Sequence, residues 1–278
     1  MDQPTVGILH PGSMGAAVAA CAATNATVVL WCENGRSPVS AARAEQAGLT
    51  PVPTLRELLD RSDIVIGLCP PAAAEELARE VAGHAFTGTY VEANAISPER
   101  AERIADLLRP AATVVDGAVV GSPPVGGKTP TLYLSGPTAA TAMVEAVFAG
   151  TAVRTKVLGT DVGQASALKV SYTAFQKASR VLAALATGMA RQYDVDQELL
   201  KVADRRSTSY LAEPEYIPKV AARAWRWGPE LEEAADTLAA AGLPPEMLRA
   251  AASTLARWHD AKDDEVSVAD ALERLAQP

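Results

Sequence analysis

Hydrophobic and polar positions change rhythm once along this chain, near residue 159. Before that point, short apolar runs rich in β-branched residues recur at Thr5–Leu9, Thr27–Cys32, Ile64–Leu68, Tyr90–Glu92, Thr113–Val115 and Thr131–Leu134. Runs of this length and composition read as strands buried on both faces. Helix starts stand between them. Thr54 with Glu57 three residues on has the spacing of a capping box, and Ser97-Pro98 reads as an N-cap followed by proline at the first helical position. Such alternation predicts an α/β fold with a doubly wound parallel sheet and right-handed crossovers. From Gly159 onward the strand pattern stops and alanine-rich helical periodicity takes over, with no proline between Pro137 and Pro214. Thr160 or Asp161 can cap a long helix from about Val162 to Gln192. Later helices are expected to start near Asp196, Pro214, Pro229, Pro244 and Val266. The expected division is a sheet domain over 1–159 and an all-α C-terminal domain over 160–278.

The first strand runs straight into a glycine turn, His10-Pro11-Gly12-Ser13-Met14-Gly15, and a small-residue helix follows. A strand, a tight turn and a helix N-terminus together present free backbone N–H groups to a pyrophosphate, the geometry of a Rossmann domain. Gly12 would let the backbone approach the phosphates, and Gly15 would let the helix pack closely on the strand. The first glycine of the usual G-x-G-x-x-G is His10 here. A histidine strains a left-handed backbone, so the turn is expected to hold His10 at negative φ.

In such a fold the ligand sits outside the carboxyl ends of the strands, and the segments leaving those ends can be read in turn. After the second strand comes Glu33-Asn34-Gly35-Arg36-Ser37-Pro38. Glu33 could accept a hydrogen bond from a ribose 2′-OH, as in NAD. Arg36 with Ser37 at a helix start could instead hold a 2′-phosphate, as in NADP. NADP is the reading adopted over NAD. After the third strand, Cys69-Pro70-Pro71 forms a rigid, donor-poor wall that can flank a nicotinamide riboside. After the fourth, Asn94 can donate and accept beside a substrate carbonyl or a nicotinamide amide. After the fifth, the glycine- and proline-dense stretch from Asp116 to Gly127 reads as a loop whose N–H groups and Ser122 hydroxyl suit a carboxylate.

Composition narrows the partners. The 278 residues are 49% hydrophobic and 5% aromatic, with a net charge of −8. An acidic chain argues against nucleic acid or an anionic membrane as the main partner. No apolar run approaches the ~18 residues of a membrane-spanning helix, and the N-terminus lacks the basic flank and apolar core of a signal peptide. Cys21, Cys32 and Cys69 read as buried free thiols in a reducing cytoplasm. His10, His84 and His259 are scattered, so no metal is expected.

Chemistry needs a proton-transferring group, and the long helix offers one in Gly163-Gln164-Ala165-Ser166-Ala167-Leu168-Lys169-Val170-Ser171-Tyr172-Thr173. Lys169 lies among apolar and small neighbours, with Tyr172 and Thr173 on the same face and Gln176 and Lys177 continuing it. Burial lowers a lysine pKa toward neutrality, where it can give and take the proton that hydride transfer at a carbinol carbon requires. Trp225 and Trp227 could line an apolar pocket wall. The alanine-rich helices bury little area each, so a second subunit is expected against them, giving a homodimer.

These motifs form an ordered set: x-x-G-x-M-G, R-S-P, P-P, V-E-A-N-A-I-S-P, D-G-A-V-V-G-S and G-x-x-x-x-x-K, each at the end of its strand or the opening of the long helix. The set resembles the β-hydroxyacid dehydrogenase and 6-phosphogluconate dehydrogenase superfamily, whose imine reductase branch shares the architecture. The stretch from Trp225-Arg226-Trp227 to Leu243 resembles the helical C-terminal domain of a poorly characterised subgroup. The resemblance implies that Pro11, Gly12, Ser13, Met14 and Gly15 cradle the pyrophosphate. It puts Arg36 and Ser37 on the turn that reads the NADP phosphate, with Cys69, Pro70 and Asn94 also at the cofactor. Gly121 and Ser122 fall on the pair that holds a substrate carboxylate, and Lys169 falls on the catalytic lysine. Tyr172 takes the place of an asparagine three residues later, and Asn94 that of a serine. Thr173, Lys177 and Trp225 complete the expected substrate contacts, and Lys169, Asn94 and Tyr172 the catalytic set. The family supplies a helical, often interlocked dimer with its active site between the domains. The expected activity is NADPH-dependent hydride transfer at a carbonyl or carbinol carbon. Imine reductases usually carry Asp or Tyr where this chain has Lys169; imine reduction is one alternative, and NADPH binding without turnover is another.

Overall fold

The computed structural model describes residues 3–205, 210, 213–262 and 264–277, without the side chains of residues 177, 180, 184, 185, 226, 230, 233 and 234. Its strands are β1 (Thr5–Ile8), β2 (Val28–Cys32), β3 (Thr50–Val52), β4 (Ile64–Gly67), β5 (Thr89–Glu92), β6 (Thr113–Val120), β7 (Thr131–Ser135) and β8 (Arg154–Gly159). Among the described residues they form one sheet in the order β3-β2-β1-β4-β5-β6-β7-β8. Side chains alternate between two cores. Val6, Ile8, Ile64, Ile66 and Val91 join one, and Leu9, Leu30, Val65 and Tyr90 the other. Helices on both faces explain why the strands read as continuous apolar runs.

The sheet is parallel from β3 through β6, but β7 runs antiparallel to β6, and β8 is parallel to β7. The expected doubly wound parallel sheet is thus present, with one antiparallel pair at β6–β7 that the sequence reading did not include. No helix forms between Val120 and Thr131, so the chain simply turns back, whereas a helix bridges β7 and β8 and returns the chain parallel. The stretch expected to be a loop from Asp116 is strand as far as Val120. Two strands escaped the apolar pattern. β3 is short, contains Pro51 and lies at the sheet edge, while β8 lies at the other edge and alternates with polar Arg154 and Lys156.

The helices of the sheet region are α1 (Ser13–Ala22), α2 (Pro38–Gln46), α3 (Leu55–Arg61), α4 (Ala74–Gly83), α5 (Pro98–Leu108) and α6 (Thr138–Phe148). Local caps form where the sequence signals them. Ser37, Thr54 and Ser97 accept from the N–H groups of Ser40 (3.2 Å), Glu57 (3.1 Å) and Arg100 (3.4 Å).

Helix α7 (Gln164–Gln192) spans 29 residues. The chain separates into two compact units, Met1–Thr173 and Ala174–Pro278. The second continues with α8 (Asp196–Ala203), α9 (Ile217–Ala221), α10 (Ala224–Ala240), α11 (Glu246–Leu255) and α12 (Val268–Ala276). Its core gathers Ala221, Ala224, Leu255, Trp258, Ala261 and Ala271, and the indole N–H of Trp258 donates to the Ala271 carbonyl at 2.8 Å. Pro229 does not begin a helix as expected; it lies inside α10, which starts at Ala224. In the second turn its missing N–H forfeits one intrahelical bond, to the Trp225 carbonyl. Among the described residues no helix is long and apolar enough to cross a membrane.

Candidate active site

The glycine turn is closed by its own backbone. The Gly12 N–H donates to the His10 carbonyl at 2.8 Å around Pro11, and α1 starts at Ser13 with no side-chain cap on Gly12. A glycine at the N-cap has no side chain to occupy the first N–H groups of the helix, the groups that bind an anion in a turn of this kind. A Cβ on Gly15 would collide with the His10 carbonyl oxygen, which explains glycine there. The left-handed non-glycine residues among those described are Ala85 and Asp194. His10 is not one of them, as expected.

Arg36 comes from the loop after β2 and folds onto this turn. Its Nη2 donates to the Leu9 carbonyl at 2.8 Å, and its Nη1 lies 3.2 Å from His10 Nδ1. Arg36 is half-buried, and its Nε is buried without a hydrogen-bond partner. Ser37 is exposed and caps α2. Leu9, His10, Gly35, Arg36, Cys69 and Pro70 line one cleft of about 480 Å³. This cleft unites residues from the ends of β1, β2 and β4.

Asn94 does something other than what its position suggested. Its Oδ1 accepts from the Cys69 N–H at 2.6 Å, and its Nδ2 donates to Glu92 Oε1 at 2.5 Å. The Asn94 N–H reaches the same Glu92 oxygen at 3.0 Å. Asn94 is 2% exposed and Glu92 0%, so the amide is turned inward. It braces the backbone that enters the Cys69-Pro70 turn. Glu92 was not anticipated; the signal was a carboxylate inside a buried run, Thr89-Tyr90-Val91-Glu92. Its Oε2 and the nearby Tyr90 hydroxyl are buried without hydrogen-bond partners. Burial outweighs the two Asn94 donors and pushes the Glu92 carboxyl up to about 7, with the Asp116 charge adding to the shift. Burial, and then the Glu92 charge, pushes the Cys69 thiol up to about 11. Cys69 is therefore a thiol at neutral pH, not a nucleophile.

Lys169 is positioned from two directions by β6. Asp116, fully buried, accepts from the Gly163 N–H (2.9 Å), the Ser166 N–H (2.9 Å), the Ser166 hydroxyl (2.7 Å) and the Ser135 hydroxyl (3.2 Å). Ser135 Oγ in turn accepts from the Ala165 N–H at 3.2 Å. The opening of α7 is thus capped by two strands, not by the expected side chains of Thr160 or Asp161. One turn further along, Lys169 Nζ donates to the Val119 carbonyl at 2.6 Å, at the carboxyl end of β6. Gly121 follows at φ +126, where the Pro130 backbone leaves a Cβ only 3.0 Å of clearance. Ser122 is exposed. Thr173 is half-buried and Tyr172 is 38% exposed. The side chain of Lys177 lies outside the described residues. Trp225 belongs to the second unit, is 52% exposed, and has Lys262 Nζ 4.5 Å from its ring centre.

The glycine turn at the carboxyl edge of a doubly wound sheet is the geometry of a dinucleotide-binding domain. Residues 5–159 match the family described as the NAD binding domain of 6-phosphogluconate dehydrogenase. That is more than half of the chain, and the chain belongs to this family. Residues 190–258 match a family described as a domain of unknown function, DUF1932. An uncharacterized 28.5 kDa protein of Methanothermus fervidus is 27% identical over 176 residues, 63% of this chain and 67% of that protein. Among solved structures, a reductive aminase from Aspergillus terreus in complex with NADPH and ethyl levulinate has the same fold. Its TM-score is 0.74 at 20% identity, covering 98% of this chain and 99% of that one. An imine reductase from Pseudomonas sp. gives 0.70 at 19% over the same shares. A conserved protein of unknown function, described as similar in structure to 3-hydroxyacid dehydrogenases, gives 0.61 at 23%, covering 92% of this chain and 98% of that one.

Proposed function

We propose that this protein is an NADPH-dependent oxidoreductase that moves hydride between the nicotinamide and a carbonyl or carbinol carbon of a small molecule, with Lys169 as general acid and base. The carrying observation is Lys169 Nζ on the Val119 carbonyl at the carboxyl end of β6. That is the sheet edge from which the glycine turn also opens.

The residues present fit the cofactor. Gly15 lets α1 close against the His10 carbonyl, an approach a Cβ would forbid, and Gly12 leaves the N-terminus of α1 without a side-chain cap. Pro11, Gly12, Ser13, Met14 and Gly15 would hold the pyrophosphate, and Cys69-Pro70 would flank the nicotinamide riboside. Arg36 at the cleft supports NADP over NAD, as does the NADPH complex of the Aspergillus terreus aminase. Ser37 would add its exposed hydroxyl. When bound, NADPH supplies the hydride. Lys169 donates a proton to the substrate oxygen as charge develops there and withdraws it in the reverse direction. The Val119 carbonyl fixes where that ammonium stands. Asn94 acts through the Cys69 backbone as a positioning residue, while Tyr172 neighbours Lys169 on the helix. Gly121, Ser122, Thr173, Lys177 and Trp225 remain the proposed substrate contacts. The functional division proposed is nucleotide binding over 1–159 and substrate binding and dimerisation over 160–278. A cytoplasmic homodimer joined through the C-terminal helices completes the reading; the free thiols suit a reducing compartment.

Lys169→Ala should lower kcat by roughly 10²–10⁴-fold with NADPH affinity retained. Turnover near wild type in that variant would remove Lys169 from the chemistry. A second reading, reduction of C=N bonds, is favoured by the likeness of fold to imine reductases over 98% of the chain. Assay of NADPH oxidation against matched panels of ketones and cyclic imines separates the two.

A further inference from the structure

His10 stands where the fingerprint of this fold has its first glycine, and its surroundings give it a task. Two contacts fix the imidazole. Arg36 Nη1 lies 3.2 Å from Nδ1, and a guanidinium can only donate. Nδ1 must therefore be the accepting, unprotonated nitrogen, which leaves the ring hydrogen on Nε2. The second contact concerns the other edge of the ring. A Cβ built on Gly12 would meet His10 Cδ2 at 3.2 Å and Nε2 at 3.5 Å. The Cδ2–Nε2 edge thus covers Gly12, the residue immediately before the uncapped N-terminus of α1. Burial, then the charges of Arg36 and Arg43, lowers the His10 pKa, so the ring stays neutral at physiological pH and keeps this single tautomer.

We infer that His10 is a direct ligand of the dinucleotide pyrophosphate, donating from Nε2–H beside the N–H groups of the α1 N-terminus. The inference rests on the proposed dinucleotide binding. The lost first glycine is replaced by a donor, and Arg36 acts as the clamp that sets its tautomer. Arg36 thereby couples the loop after β2 to the phosphate turn, through Leu9 and His10 together.

Nitrogen-15 NMR of the ligand-free protein should report a bare Nδ1 and a protonated Nε2 for His10. Calorimetric titration with NADPH and with NADH supplies the second measurement. His10→Ala should weaken both dinucleotides by about ten- to a hundredfold, the scale of one hydrogen bond to a charged group. His10→Gln, whose amide nitrogen reaches the position of Nε2, should stay within a few-fold of wild type. His10→Asn keeps an acceptor for Arg36 near Nδ1 but reaches no further, and should bind as weakly as His10→Ala. An Nδ1–H tautomer overturns the inference, and so does unchanged binding by His10→Ala or His10→Asn. Weakening confined to NADPH would move the contact to the 2′-phosphate and overturn the pyrophosphate assignment. Wild-type protein that binds neither dinucleotide would overturn both this inference and the function on which it rests. Should His10→Ala fail to fold, the wild-type tautomer and the Gln and Asn titrations still decide.

Discussion

Glu92 carries a buried carboxyl with one satisfied oxygen and one orphan, and that imbalance has a measurable consequence. Its carboxyl titrates at about 7 in the folded chain, against 4.5 for an unperturbed glutamate. Between those values the unfolded chain has released a proton that the folded chain still holds, so raising pH favours unfolding. The contribution is whole below about pH 4.5 and is lost as pH rises through about 7. The gap amounts to roughly 3 kcal/mol. Glu92→Gln keeps an oxygen for Asn94 and removes the titration. Its Tm should exceed that of wild type at pH 8, with the difference closing toward pH 5; parallel pH profiles for the two proteins would acquit Glu92. At this scale the sequence was legible in kind and not in direction. Asn94 was visible as a polar residue at a strand end, but only the curl of the chain toward Cys69 turns its amide inward. His10 was visible as an anomaly, and its meaning waited on Arg36, 26 residues away.

Among the elements, α7 depends most on distant parts of the chain. Three of its opening N–H groups end on Asp116 and Ser135, residues of β6 and β7. Asp116→Ala would leave two N–H groups and the hydroxyls of Ser166 and Ser135 without their acceptor in a buried site, costing about 3 kcal/mol or more by urea denaturation. Asp116→Asn, which retains one acceptor oxygen, should cost distinctly less; equal losses would mean that the charge, not the acceptor geometry, holds the helix. Legibility here followed range. Ser37, Thr54 and Ser97 announce their helices because donor and acceptor lie three residues apart. Asp116 lies 47 and 50 residues from its partners, and nothing local marks it. The edge strands β3 and β8 were missed for a related reason. A strand paired on one side needs less apolar character than a central one, so the pattern that found β1, β4 and β5 passed over them.

For the molecule as a whole, the alternation of strands and helices was enough to give the doubly wound sheet. The reversal at β7 was hidden because Asp116–Val120 reads as a glycine-bearing loop when its neighbours are unknown. The second unit leaves Val181, Leu182, Tyr193, Val195, Leu200 and Val202 exposed. Apolar side chains in such number suit a partner, and the proposed homodimer would cover them. Sedimentation at micromolar concentration should then give twice the chain mass of 28.9 kDa, and Val202→Glu with Leu182→Glu should return it to the monomer. A wild-type chain that sediments as a stable monomer would remove the dimer.

The cap on α7 also decides where this chain can be cut. The nucleotide-binding family match stops at Gly159, an inviting place to end an isolated fragment. A fragment ending there strands the Asp116 carboxylate in the sheet interior, stripped of Gly163 and Ser166. One ending at Thr173 keeps both residues, and Lys169 with them. A fragment meant to keep the Asp116 site intact should therefore include the first turns of α7.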